Sequence, residues 1–514
     1  MTARFLLLYA VTGLLACACT VTRHEVPTGA PRASDFETAI ARIARTDPGS
    51  PAVLNAQLAY ADFLLSGAPG PCAERLLRAL EQLDSVEANP RTRVMFPDGW
   101  ANATDLEYRL YLGRAACGSE TDRETQLRIA LAAARRAVEL YRAAFDYHSM
   151  AIMQFDVATV LQRLGENAAA LADLETALDM DREYGFQDEA REGYQLLLTL
   201  RGEPADDAHV AGLMQSFPQR RAVLRFGWRP GDAWITLASH RECLVDGQIS
   251  ASDAAATFER RVDAGSDGGW SVTHAHRLTR YEPGVWPTTQ GSTTPQMVLP
   301  PAAPPAADFN VSATGEFEGV TNYTNAYSAR LVARTEQLIR AAAPSGEGAR
   351  KLLSAAVETA DDNLSPGMLE AATAEHYQLE TAMWTGATLE QGAWYEISAP
   401  LSLPGLTPQV VVQHRIVFAF TRMVPCTPGA AAQTCVELVI RATPDQDALG
   451  QVMADTGLTA YGASTEARIV TDPATLLAHA REERRYWYAS SSDDRRDFVL
   501  QSEHVRSTTR YGAD

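Results

Sequence analysis

The chain has 514 residues, 46% of them hydrophobic, and a formal net charge of −19 from 45 basic and 64 acidic side chains. That length and composition give room for two or three domains with true cores and exclude a disordered chain, while the negative charge argues against nucleic-acid phosphates and anionic headgroups as partners. Lys351 is the only lysine, which excludes a Gly-x-x-x-x-Gly-Lys-Ser/Thr phosphate loop and a Ser-x-x-Lys nucleophile pair, and leaves one candidate Schiff-base amine.

At the N-terminus, Arg4 precedes the apolar run Phe5 to Leu15. The run is too short to span a bilayer and has the layout of an export signal. Leu14-Leu15-Ala16-Cys17 resembles the cleavage box of bacterial lipoproteins, with Ala16-Cys17-Ala18-Cys19 as a second match. The resemblance implies removal of residues 1–16 and acylation of Cys17, or alternatively Cys19. Neither following residue, Ala18 or Thr20, is the Asp of the inner-membrane retention signal. The implied address is therefore the periplasmic face of the outer membrane. Several acyl chains, at about 0.8 kcal/mol per buried methylene, would make the anchor effectively permanent. Residues 17–34, with Pro, Gly, Thr and Ser and no apolar period, read as a flexible tether.

From residue 35 to 215 the pattern is helical and rich in Ala and Leu, punctuated at Asp47-Pro48-Gly49-Ser50, Gly67-Ala68-Pro69-Gly70-Pro71 and Asn89-Pro90. In the clearest pair, Gln154 to Asp181, Ala158 and Leu161 precede a Leu164-Gly165-Glu166 turn and Ala170, Leu174, Ala177 and Leu178 follow it. This resembles the tetratricopeptide repeat, with departures at Gln154, where a large apolar residue is usual, and at Arg182, where Pro is usual. Ala130, Ala134 and Ala137 repeat the small-residue spacing, and a generic helical bundle accounts for that spacing as well. Cys72 and Cys117 fall in helical segments, where they either pair or pack as small hydrophobes.

Near Ala222 the period changes from helical to alternating, which opens an antiparallel β-rich region over 220–514. Strands are predicted at Ala222 to Arg229, Ala233 to Val245, Ala254 to Asp263, Trp270 to Leu278 and Phe309 to Val320. A proline-rich loop spans 281–308 and a helical insertion spans 327–389. Later strands are predicted at Trp394 to Ala399, Gln409 to Arg422, Cys435 to Thr443, Ala467 to Val470, Arg485 to Ala489 and Asp497 to Val505. Strands on both sides of the insertion predict one mixed sheet closed by late strands returning to early ones. The expected fold class is α+β: an all-α helical-repeat domain, then an antiparallel β-rich domain with a helical insertion. Cys426 and Cys435, flanking a connection between two strands, are expected to form a disulfide, and Cys243 has no evident partner.

Chemistry-bearing residues are scattered. His274 and His276 leave one face of a predicted strand, and His240 with Glu242 lies in the neighbouring hairpin; a solvated strand face explains these letters without a metal. His376 and Glu380 form an i,i+4 pair, and His414 reads as structural. Asp361-Asp362-Asn363 and Asp493-Asp494 lack the spacing of a calcium loop. Gly462-Ala463-Ser464-Thr465-Glu466 begins like a nucleophile elbow and lacks its second Gly. Trp228, Trp234, Trp394, Val411 and Ile416 are candidates to line an apolar ligand cavity in a curved sheet. The reading is a lipid-anchored, non-catalytic scaffold or assembly factor that needs no cofactor or metal and binds envelope proteins through its helical repeats. The rivals are a carrier of an apolar ligand and a hydrolase with a His-based site.

Overall fold

The computed structural model describes residues 32–45, 51–89, 97–218, 220–245, 248–265, 267–282, 284–285, 297–298, 307–322, 366–404, 406, 410–427, 433–456, 458, 460–490 and 499–511. The leader with Cys17 and Cys19, most of the loop 281–308, residues 327–365 of the insertion and both acidic runs lie outside these, as do the side chains of Cys243 and His276. The fold is α+β, with helices first and a large antiparallel sheet after them.

The helices are α1 (Ala33–Ala44), α2 (Pro51–Leu65), α3 (Cys72–Glu87), α4 (Pro97–Cys117), α5 (Glu120–Ala143), α6 (Tyr147–Arg163), α7 (Asn167–Tyr184), α8 (Gln187–Arg201) and α9 (Asp207–Met214). They stack as successive antiparallel pairs, because each carries an apolar stripe that a single pair cannot bury. In the α6/α7 pair, Gly165 takes a positive φ of 79°, and Glu166 N donates to Leu161 O across the turn. Ala158, Leu161, Ala170, Leu174, Ala177 and Leu178 are all buried. Gln154 is buried too, and its Nε2 donates to Asp173 Oδ1 at 2.9 Å. This polar contact ties α6 to α7. Gly193 in α8 permits close approach to α7, since a Cβ there would sit 2.7 Å from Leu178. A Cys72–Cys117 disulfide joins the start of α3 to the end of α4.

The main sheet has the order β10-β11-β12-β13-β14-β15-β2-β3-β4-β7-β8, antiparallel throughout. Its strands are β2 (Gly231–Val245), β3 (Gln248–Ala264), β4 (Trp270–Glu282), β7 (Phe309–Val311), β8 (Phe317–Val320), β10 (Trp394–Ser402), β11 (Val411–Pro425), β12 (Thr434–Pro444), β13 (Ala460–Thr471), β14 (Ala478–Ser490) and β15 (Val499–Tyr511). The final strand, β15, pairs with β2, so the chain closes its late strands onto its early ones. Two small pairs lie outside, β5 (Gly284–Val285) with β6 (Met297–Val298) and β1 (Arg221–Val223) with β9 (Thr388–Glu390).

Four elements differ from the sequence expectation. Only β1 of the Ala222 to Arg229 segment is strand; the rest crosses toward the β13–β14 connection, with Arg225 N donating to Pro473 O and Gly227 N to Thr475 O. Phe309 to Val320 is a hairpin rather than one strand, turning at Gly315 with φ +89°. Part of the expected insertion is helical, as α10 (Pro366–Glu380) and a short 3₁₀ turn (Ala382–Trp384), but its end is β9. A helix not anticipated, α11 (Gln446–Thr456), is started by Asp445 Oδ1, which accepts from Asp447 N and Ala448 N.

Strand alternation gives the sheet two dissimilar faces. One, carrying Ile416, Phe418, Phe420, Leu438, Ile440 and Ile469, packs on Leu379 and Trp384 of the insertion. The other carries Ala419 and Val439, which join the core of the helical array beside Phe145, Tyr147, Tyr184 and Phe186. Gly185, with φ +86°, ends α7 against the sheet, and a Cβ there would meet Gln391 O at 2.9 Å. Gly185→Ala is therefore expected to lower stability by about 1–3 kcal/mol from the left-handed backbone alone. Urea denaturation checks this, and an unchanged midpoint would show that the junction yields without cost.

Candidate functional site

The first helices of successive pairs, α2, α4 and α6, bring Asp62, Asp105, Arg109 and Asp156 into one seam. Arg109 Nη1 donates to Asp62 Oδ1 at 2.6 Å and Nη2 to Ser66 Oγ at 2.8 Å. Burial pushes the Asp105 carboxyl up to about 6; Arg109 opposes this and Asp62 adds to it. Burial, reinforced by Asp105, pushes Asp156 up to about 7, while its hydrogen bond with the Tyr108 hydroxyl and the charge of Arg109 oppose the rise. Three acids thus crowd one seam, with Arg109 bound to Asp62 and Arg163 adding its charge near Asp156, and burial still leaves the arrangement favouring a further proton or an added cationic group. Ile152, one turn before Asp156 on α6, is among the exposed large hydrophobics.

A second charged group lies on the sheet face beneath α10. In β14, Arg481 and Glu483 are buried, and Glu483 binds both Arg481 and Arg485. Arg485 lies directly opposite Glu503 of β15. From α10, Glu380 pairs with His376 at 3.0 Å and lies 3.6 Å from Arg481 and 3.8 Å from Arg260 of β3. Arg260 Nη2 donates to Tyr511 Oη at 2.9 Å, and Tyr511 Oη donates to Ala478 O at 2.7 Å. Burial alone would raise the carboxyls of Glu380 and Glu483, but the adjacent cations outweigh it and hold both at about 2. Three arginines therefore balance three glutamates, which makes this cluster self-compensating.

The opposite face of the same sheet, on β11, β12 and β13, carries an interface network. Glu437 of β12 is fully buried and accepts from Arg422 Nε at 3.1 Å, Arg468 Nε at 2.7 Å and Thr421 Oγ1 at 2.9 Å. Arg422 also pairs with Glu183 of α7 and stacks over Tyr184, while Arg441 reaches Asp146 at 3.4 Å. Among the described residues, the ion pairs that tie the N-terminal helical array to the sheet fall on Asp146 and Glu183, not on the acidic seam.

The five residues proposed to line an apolar cavity do not form one wall. Ile416 is packed in the sheet core and Trp228 in a separate cluster with Val262, Phe309 and Tyr377. Val411, five positions from Ile416 on β11, leaves the opposite face and is exposed. Trp394 and Trp234 lie on that same face and are exposed, but Trp234 is five strands from β11, roughly 24 Å at the usual strand spacing. The histidines are likewise separated. His274 is on the α10 side opposite Arg260, its ring Nδ1 3.1 Å from Ala307 O, and burial drives its pKa down to about 3. His240 is on the other face with Asp253 at 2.9 Å and Glu242 at 3.2 Å. His414 is buried, with Nδ1 3.0 Å from Val412 O. His376 and Glu380 do pair, but within the larger charged cluster. Gly462 lies inside β13 instead of at a strand-to-helix turn, and a Cβ there would strike the Tyr488 ring. Cys426 and Cys435 are disulfide bonded.

Sequence reading missed the acidic seam, the β14 charges and Glu437. The run Arg481-Glu482-Glu483-Arg484-Arg485 was the available signal, since alternate residues give compensated charge on each face of a strand. Comparison with family models and with curated proteins finds no match. Among solved structures, one described as lipid-protein interactions in lipovitellin is similar over 55% of this chain, with 8% identity and a TM-score of 0.26. The chain spans about a quarter of the length of that protein, covering 25% of it.

Proposed function

We propose that this is a lipid-anchored envelope protein that acts without catalysis, as a scaffold that docks a partner protein along the seam of α2, α4 and α6. The supporting observation is the seam itself: Asp62, Asp105 and Asp156 lie on consecutive first helices beside the exposed Ile152, away from the ion pairs that tie the N-terminal helical array to the sheet. Charge complementarity favours a partner segment that presents a basic residue next to an apolar one. The sheet then serves as a rigid mount, held to the helices through Glu437, Arg422 and Glu183. Dispersal of His240 and His274 to opposite faces supports a non-catalytic role, and separation of the five cavity candidates favours the scaffold over the carrier.

The test is crosslinking in the intact envelope from a photoreactive residue at position 152. With the photoreactive residue kept at 152, Asp62→Arg, at an exposed position, is expected to reduce captured partner by about tenfold while leaving the far-ultraviolet circular dichroism unchanged. Equal capture by this variant would remove the seam from consideration. Acyl labelling of Cys17→Ala and Cys19→Ala variants tests the anchor, and label retained in both single variants and in the double variant would eliminate it.

A further inference from the structure

Cys426, Cys435 and His479 each offer a ligand atom, and these atoms all lie within 4.8 Å of one another in a buried site. The two cysteines close the β11–β12 hairpin, where Cys426 N donates to Gln433 O at 3.0 Å and Val424 pairs with Cys435. His479 arrives from β14 for a different reason. Val470 pairs with Ala480 and Thr471 with Ala478, which leaves His479 as the extra residue of a β-bulge. Bulges re-aim a side chain away from the regular alternation. The imidazole stands edge-on to Tyr511 at 4.8 Å between ring centres. Val470, Val424 and Ala480 pack around the cystine and exclude water from it.

We propose that opening the Cys426–Cys435 disulfide converts this corner into a three-donor site for a soft d¹⁰ cation, with Zn²⁺ as the fitting ion. Opening requires a dithiol reductant. Its two sulfurs form the new S–S bond, and two electrons and two protons pass to Cys426 and Cys435. Zn²⁺ then displaces those two protons and is held by two thiolates and the neutral imidazole. Two sulfurs each about 2.3 Å from zinc at a tetrahedral angle stand roughly 3.8 Å apart, which rotation of the two side chains can reach from a broken disulfide. The resulting centre carries no net charge, as burial requires, whereas Cu⁺ with the same donors would leave a buried negative charge. Exchange with the oxidised, disulfide form of that dithiol reverses the step: its S–S bond breaks and takes up two electrons and two protons, Cys426 and Cys435 re-form their bond and the ion is released, so cystine and metal centre are mutually exclusive states of one corner.

The experiment uses the whole mature protein, reduced with a dithiol and freed of it under anaerobic conditions. Titration with Co²⁺ as a spectroscopic stand-in is expected to give thiolate-to-cobalt charge-transfer absorption that saturates at one equivalent and is displaced by Zn²⁺. Cys435→Ser should abolish the band, and His479→Gln should weaken affinity by at least about tenfold. A readout needing no variant is mass spectrometry of alkylation, in which Zn²⁺ should protect Cys426 and Cys435 together. No protection, a band that survives Cys435→Ser, or affinity unaffected by His479→Gln would each overturn the site. Uptake of Cu⁺ without Zn²⁺ or Co²⁺ would overturn the dication assignment.

Discussion

Glu437→Gln is expected to lower the free energy of unfolding by about 3 kcal/mol, read as a fall in the denaturant midpoint of the sheet. Glu437 has no exposure, yet it receives two guanidinium groups and a hydroxyl. Removing its charge leaves Arg422 and Arg468 facing each other across β12 with no central anion. Their side chains are about a quarter exposed, at 24% and 28%, so hydration offsets part of the loss, and the lower end of the usual range for a broken buried pair applies. The damage should extend beyond β12, because Arg422 also binds Glu183 and stacks on Tyr184 of the helical array. Protease sensitivity at the helix–sheet junction should rise in parallel. A change below about 1 kcal/mol would mean that the arginines simply rehydrate and that the junction is held by the Ala419 and Val439 packing and the Arg441–Asp146 pair instead.

Stability is expected to fall at both ends of the pH range, for opposite reasons in the two parts of the chain. Glu380, Glu482 and Glu483 are held at about 2 in the folded sheet against 4.5 when unperturbed. Folded pKa values below the unfolded ones mean that these groups contribute stability above pH 4.5, and that the contribution is lost as pH falls through about 2. Asp105, Asp156 and Asp181 behave in reverse. Burial lifts them to about 6, 7 and 8 from 3.8, so the helical array loses stability as pH rises from about 4 to 8. Asp181 carries the largest share, because its Oδ1 is buried without a hydrogen-bond partner and Glu189 lies nearby. Urea midpoints at pH 3, 5 and 8 should therefore peak near pH 5. Glu483→Gln should flatten the acid limb and Asp181→Asn the alkaline limb. Stability that climbs steadily from pH 5 to 8 would contradict the assignment for the aspartates.

The local pattern of the sequence was enough for much of the architecture. Alanine and leucine spacing identified the α6/α7 pair and its Gly165 turn, because helical periodicity is a property of neighbours three and four apart. Alternation placed β11 and β12, and two cysteines flanking one connection identified their own bond. The return of late strands to early ones was legible from the order of elements, as the β15–β2 pairing shows.

What tertiary structure decided is which distant residues meet. Arg481 to Arg485 is the most highly charged run in β14 yet lies in a central strand, because register sets Arg485 opposite Glu503 and brings Arg481 within reach of Glu380, 101 positions earlier in the chain. Intrinsic strand preference is too weak to reveal such compensation, which depends on cross-strand partners. The separation of Val411 from Ile416, and of His240 from His274, followed from sheet faces that composition does not number. His479 reached the cystine through one unpaired residue in a bulge, a shift of register that leaves no mark on the periodicity of either strand. Sequence determines the period of each element through local sterics and burial. Pairing, register and face, and with them the charged clusters around Asp105, Glu380 and Glu437, arise only when separate elements pack.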